Sequence, residues 1–366
     1  MKVIKKLYFI IIIPIMLSGC YGRLPQEELG MIVGLGYDIE NQGNNYEYKD
    51  SSETFVFKGE KNIEHEVLSG KGKSIYSTEH ELQAKFSKKW ILGVELVYLI
   101  GEKRAAYGIK DLIDSQIRDP ERRAVAGIAI SKQPAESIYK MKPIESSTIA
   151  EGIRGILNYA NIDNFFPINN EVSEFLKMYY QEGRKIVIPY MEVINDRVQI
   201  TGLALFKEDK MVKEVDLNEA RLINLLRISG GNGYIAINSP EKNEYYEAYF
   251  KNKVKVKVSK EGEKLKYDVY VNLGGDLKVD TVDKKLITKK EVENIQETFS
   301  KKIERDLMSE VKKMQNEYGT DWINLGKYAV SKYGRQDDYA SDEVFRDAII
   351  DVHVNVKITA IGQKKK

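Results

Sequence analysis

Apolar residues recur at Val292, Ile295, Phe299, Ile303, Leu307, Val311 and Met314, at spacings of three and four. That period draws one apolar stripe along a helix of about six turns. Thr288 and Glu291 form a capping box at its start, hydroxyl and carboxylate satisfying free amides reciprocally. Glu297 and Lys301 make an i,i+4 pair on its wet side, Gly319 ends it, and Asp321 to Tyr333 forms a shorter helix. A stripe this long needs a partner, and the flanking sequence supplies one. Val254, Val256 and Val258 alternate with lysines, Leu265 to Leu273 alternate with mostly polar residues, and Ile350 to Ile358 do the same. Three strands with one wet face each imply an antiparallel sheet covered by the long helix.

Upstream the pattern is α/β. Leu29 to Ile39 alternates as a strand and "NQGNN" follows as a turn, whereas residues 44–69 show no clear second alternating strand. A capping box at Thr78 and Glu81 opens a helix carrying Leu82, Phe86 and Trp90. Val94 to Ile100 and Ala124 to Ile130 are apolar runs joined by a helix with Ile109, Leu112, Ile113 and Ile117 on one side, as in a sheet covered on both faces. Asp119-Pro120 stops that helix. Helices follow from the capping box at Thr148 and Glu151, and over Val172 to Tyr180. Val198 to Phe206 and Met211 to Val215 read as strands, and Asp216 caps a helix through Arg227 that ends at "SGGNG". The expected organisation is an α/β domain over residues 27–190, a small middle α+β domain over 191–250, and a sheet-plus-helix domain over 251–366.

The amino terminus is of a different kind. Lys2, Lys5 and Lys6 precede the apolar run Leu7 to Leu17, then Ser18-Gly19-Cys20. That is the order of a signal peptide over residues 1–19, and a run of about 11 residues interrupted by Pro14 is too short to span a bilayer. Leu17-Ser18-Gly19-Cys20 has the form of a lipobox. Cleavage between Gly19 and Cys20 would leave the chain's one cysteine as the first mature residue, its thiol alkylated by a diacylglyceryl group, with a short tether over residues 20–26. Two acyl chains hold a protein stably where one does not. Without the leader's three lysines, 54 basic residues face 55 acidic ones, which leaves no nucleic-acid footprint. Lys364 to Lys366 read as a solvated tail.

Catalytic patterns are missing. The histidines are His65, His80 and His353, and there is no G-x-S-x-G or H-E-x-x-H. Gly34 and Gly36 lack the third glycine of a dinucleotide fingerprint. "GKGKS" at 70–74 ends like a phosphate loop, but Val67 stands where the first glycine belongs, and the expected helix start lies beyond Ile75-Tyr76. The glycines at 229–233 could form an anion nest, although a helix terminator is the plainer reading. Asp337-Asp338 and Asp342-Glu343 read as solvated loop. "EYYEAYF" at 244–250 suits either an interface or a core. No enzyme, cofactor or metal is expected.

The chain resembles the Ger(x)C family, the C-subunit lipoproteins of spore germinant receptors. The lipobox, "ELGMIVGLGYDIE", "KKWILGVELVYLIGE", "LIDSQIRDPERRAVAGIAIS", "TGLALFKEDKMVKEVDLNEARLINLL", "NKVKVKVSKEGEKLKYDVYVNLGGDL" and "KKMQNEYGTDWINLGKYAVSKYG" occur in the family's order. The resemblance implies a three-domain lipoprotein on the outer face of the spore inner membrane of a sporulating bacterium. It implies membrane-embedded A and B subunits as partners and nutrient germinants as triggers, and it carries over Cys20 alone as a residue with an assigned task. Two departures stand out. The family has a tryptophan and an acidic residue after the lipid cysteine where this chain has Tyr21-Gly22, and residues 44–69 lack a clear strand. The competing expectation is a solute-binding lipoprotein serving a membrane transporter, which calls for two similar lobes around a cleft.

Overall fold

The computed structural model describes residues 28–42, 45–58, 62–238, 245–280, 288–335 and 337–361. The expected signal peptide, Leu17 to Cys20, the expected tether and Lys364 to Lys366 lie outside the described residues. In chain order the strands are β1 (Leu29–Gln42), β2 (Asn45–Lys58), β3 (Asn62–Gly72), β4 (Lys89–Ile91), β5 (Val97–Gly101), β6 (Gly127–Ser131), β7 (Val187–Ile194), β8 (Arg197–Lys207), β9 (Lys210–Asp216), β10 (Asn232–Asn238), β11 (Tyr245–Glu261), β12 (Lys264–Asp280) and β13 (Ile349–Ile361). The helices are α1 (Ile75–Lys85), α2 (Glu102–Tyr107), α3 (Lys110–Arg118), α4 (Ala135–Tyr139), α5 (Ile149–Asp163), α6 (Val172–Tyr180), α7 (Leu217–Arg227), α8 (Lys289–Lys313), α9 (Gly326–Tyr333) and α10 (Asp342–Asp347).

Residues 44–69, where no clear second alternating strand was expected, contribute to two long strands, β2 and β3. In β2 the run Asp50 to Thr54 is buried throughout, so polar residues occupy inward positions and mask the alternation. The large sheet has the order β3-β2-β1-β5-β6-β7-β8-β9, with β4 alongside the start of β1. β1, β5, β6 and β7 run parallel, and antiparallel strands flank them on both sides. β5 and β6 are buried along their whole length, as strands covered on both faces must be. Ile109, Leu112 and Ile113 point to the core as expected, whereas Ile117, in the last turn of α3, is exposed.

Helix α1 begins earlier than its sequence suggests. Ser74 is the N-cap and forms a capping box with Ser77, not Thr78 with Glu81. Thr78 is buried in the second turn and donates its hydroxyl to Asp50, while Glu81 accepts from the amide of Lys71. A tertiary partner outcompeted the local cap. Asp216 caps α7 as read from the sequence, and Thr148 caps α5, although Glu151 accepts from the amide of Ser147 and so leaves the expected box open.

The second sheet has the order β10-β11-β12-β13. Ile295, Phe299, Ile303, Leu307, Val311 and Met314 are buried against it, the capping box at Thr288 and Glu291 is present, and Gly319 ends the helix at φ +62° after a π-turn over Met314–Tyr318. One pairing differs from expectation. β12 and β13 are parallel, because α8 carries the chain back along the sheet before β13 enters it. β13 is an edge strand, and α8 covers that edge. The amides of Val354, Val356 and Ile358 donate to Glu304, Ser300 and Gln296 at 3.0, 3.2 and 2.8 Å.

The boundary read at residue 190 falls within β7, and residues 191–250 send strands to both sheets. One apolar core runs from Val187, Leu203 and Leu205 through Ile223 of α7 to β11, β12 and α8. Trp322 fastens the junction, its indole N–H donating to the Phe206 carbonyl at 2.8 Å.

Candidate functional site: a charged crevice at the carboxyl edge of the large sheet

After β5 the chain turns at once into α2, which packs on one face of the sheet. After β6 it turns into α4, which packs on the other. Adjacent parallel strands whose connections leave for opposite faces open a crevice at their carboxyl ends, the place where α/β sheets take ligands. Here the crevice measures about 660 Å³ and is lined by Asp38, Glu40, Lys49, Glu102, Lys103, Lys132, Glu136 and Lys140.

The face of β1 toward α4 presents Gly34, Gly36 and Asp38. A side chain at Gly34 would strike the Tyr139 ring, and one at Gly36 would strike Ser51 and Ala135. These glycines therefore admit α4 to the sheet instead of cradling a dinucleotide. Helix α4 has Pro134 at its N-cap and no side chain of its own to accept its first amides. Asp38 does so from the sheet, accepting from Ala135 and Glu136 at 2.9 and 3.1 Å. Burial, outweighing those two bonds, pushes the Asp38 carboxyl up to about 6. Glu136 goes the other way. Burial opposes its ionisation, but bonds from Lys140, Lys49 and Ser69 hold it down to about 2. Lys49 also pairs with Glu40, which Lys71 reaches from β3.

The same device recurs one strand over. Glu53 of β2 is fully buried and accepts from the first amides of α5, Ile149 and Ala150, at 2.8 and 2.7 Å. His65 Nδ1 lies 2.6 Å from the same carboxylate. Burial raises the Glu53 pKa, against those three contacts. Asp38, Asp50 and Glu53 were not singled out from the sequence. The legible signal was indirect, a helix opening on Pro134 with nothing local to cap it.

The other sequence candidates separate. His353 lies on the wet face, 3.2 Å from Asp268 and stacked on Tyr270, while His80 is exposed. Gly70 and Gly72 belong to β3, not to a loop, although a helix does follow Ser74 directly. Gly231 and Gly233 press against Phe165, and the Gly230 amide donates to Asn252, so that run packs rather than holding an anion. Asp342 is buried and pairs with Lys185 at 3.1 Å, unlike the solvated loop expected. Tyr246, Ala248 and Phe250 enter the core, while Tyr245 stays exposed. Among the described residues no group of His, Cys, Asp or Glu is placed to hold a metal. The crevice can hold charged groups by ion pairing, and Asp38, Glu40 and Glu136 are all engaged with amides or lysines.

A family profile described as "Spore germination protein N-terminal domain" matches residues 23–193, and one described as "Spore germination B3/ GerAC like, C-terminal" matches residues 201–362. The chain belongs to the Ger(x)C family of spore germination proteins. Among Ger(x)C relatives, spore germination protein GerQC of Bacillus cereus is 22% identical over 364 residues, 98% of this chain and 99% of that one. Spore germination protein B3 of Bacillus subtilis (strain 168) is 20% identical over 99% of both chains. Spore germination protein A3 of the same organism is 23% identical over 73% of this chain and 72% of its own. The crystal structure of the GerBC protein has the same fold, with a TM-score of 0.59 at 18% identity over 89% of this chain and 97% of that one.

Proposed function

We propose that this chain is the lipid-anchored C subunit of a nutrient germinant receptor. It sits on the outer face of the spore inner membrane and acts in germination through contact with the membrane-embedded A and B subunits. The end-to-end match to spore germination proteins carries the reading. The lipobox Leu17-Ser18-Gly19-Cys20 supports the anchor, with cleavage before Cys20 and acylation of its thiol. Among the described residues no helix is long and apolar enough to cross a membrane. An acyl anchor confines the folded body near the bilayer and raises its effective concentration toward membrane partners, so weak contacts suffice. Beside the crevice, the exposed Tyr46 and Tyr107 rings pair at 4.9 Å, an apolar patch with polar tips that suits such a contact. The solute-binding alternative calls for two similar lobes, and the two sheets here differ in strand number, order and cover.

Cys20→Ala is expected to leave the folded body intact, to move the protein from the membrane to the soluble fraction, and to lower recovery of A and B subunits on copurification. Unchanged membrane fractionation overturns the anchor. Native protein that never retains a multi-spanning partner in detergent overturns the receptor reading.

A further inference from the structure

A second cavity, about 260 Å³, lies where the large sheet meets α7 and α9, away from the charged crevice. Three cations open onto it: Arg184 from the turn between α6 and β7, Arg227 from the last turn of α7, and Lys327 from the first turn of α9. The fold forces them together. Gly183, at φ +73°, lets its turn lie directly on the backbone of Gly326 and Lys327, where any side chain would collide.

Three carboxylates lie nearby. Glu174 lies 3.6 Å from Arg184 but is held at 2.6 Å by Lys177, and Glu171 is held at 2.8 Å by Arg154. Asp321 Oδ2 accepts from the amide of Gly326 at 2.8 Å, while its Oδ1 is buried with no hydrogen-bond partner. The Arg227 guanidinium donates from Nη2 to the Met178 sulfur at 3.1 Å. Arg184 Nε, Arg227 Nε and the side-chain amide nitrogen of Asn224 are buried with no hydrogen-bond partner, and Asn224 is 1% exposed. All three are donors, and leaving donors unpaired in a low dielectric is costly. Burial first, then the charge of Arg184, pushes Arg227 down to about 9. Burial, then Arg184 and Arg227, pushes Lys327 down to about 8. In both cases the neighbouring cations add to the effect of burial and the charge of Asp321 opposes it.

We propose that this cavity binds a small solute bearing a carboxylate or phosphate group, its oxygens held by Arg184, Arg227, Lys327 and the Asn224 amide, its body against Met178 and Leu203. Guanidinium forks match both oxyanions, and the volume falls below the roughly 300–1,000 Å³ of sites for larger ligands. A bound anion would bridge the large sheet to the helices that pack against the second one. The inference does not depend on the receptor reading.

The test titrates full-length protein in detergent with inorganic phosphate and with benzoate, against chloride at equal ionic strength, by calorimetry and thermal melting. Saturable binding and a Tm that climbs with concentration are expected for at least one probe. Arg227→Met and Lys327→Met are each expected to weaken binding about tenfold or more. Without probe, each is expected to keep or raise the Tm, since each removes an unpaired cation. Lys301→Met, on the wet face of α8, retains binding. No saturable binding of either probe to folded wild-type protein overturns the site. So do unchanged affinities in both variants, or a lowered probe-free Tm in both, which would make these cations structural.

Discussion

The two sheets reach burial by opposite means. Beneath α8, strands β11 and β12 turn apolar side chains inward and keep Lys251, Lys253, Lys255 and Lys257 in solvent. In the large sheet, β2 buries Asp50, Ser51, Ser52, Glu53 and Thr54 in succession, and β1 buries Asp38. A buried carboxylate is tolerated only with partners, and here two of them take the first amides of α4 and α5. The second sheet is held by area. The first is held in part by groups that must find one specific partner each.

That contrast can be broken most directly with two truncations. Phe299→Ala empties a fully buried position under α8 and is expected to cost about 4 kcal/mol in denaturant melts. Glu53→Ala strips the acceptor from Ile149, Ala150 and His65 and is expected to cost about 3 kcal/mol, with Glu53→Gln recovering part of it. A loss under about 1 kcal/mol for Glu53→Ala would mean that the buried polar strand is incidental.

Glu310 sharpens the comparison, because it is a buried carboxyl on the otherwise apolar side of α8. Burial, then the charge of Glu219, pushes it up to about 7. A carboxyl raised in the folded state costs nothing while both states are protonated, and it costs stability as pH rises from its unfolded value through about 7. Glu310→Gln is therefore expected to stabilise by about 1–2 kcal/mol at pH 8.5, after allowance for solvent screening, and by almost nothing at pH 4. Equal effects at both pH values would refute the assignment. The smallest effect belongs to the cap of α8, where Thr288→Ala should cost about 1 kcal/mol, read as a Tm decrease.

Legibility followed the same divide. Helix α8, its cap, its stop at Gly319, the strands beneath it, and the caps of α5 and α7 could be read from neighbours within a few residues. The parallel entry of β13 could not, because alternation sets which face is wet and says nothing of strand direction. Nor could the charged crevice, since Asp38 meets Ala135 across 97 residues and Glu53 meets Ala150 across the same span.

The sequence by itself determined the short-range structure, because helix and strand periods and terminal signals are written in consecutive residues. The tertiary structure alone decided which polar residues could be buried, where α1 begins, and where Arg184, Arg227 and Lys327 converge. Each of those outcomes depends on a partner that only the folded chain brings within hydrogen-bonding or Coulombic reach.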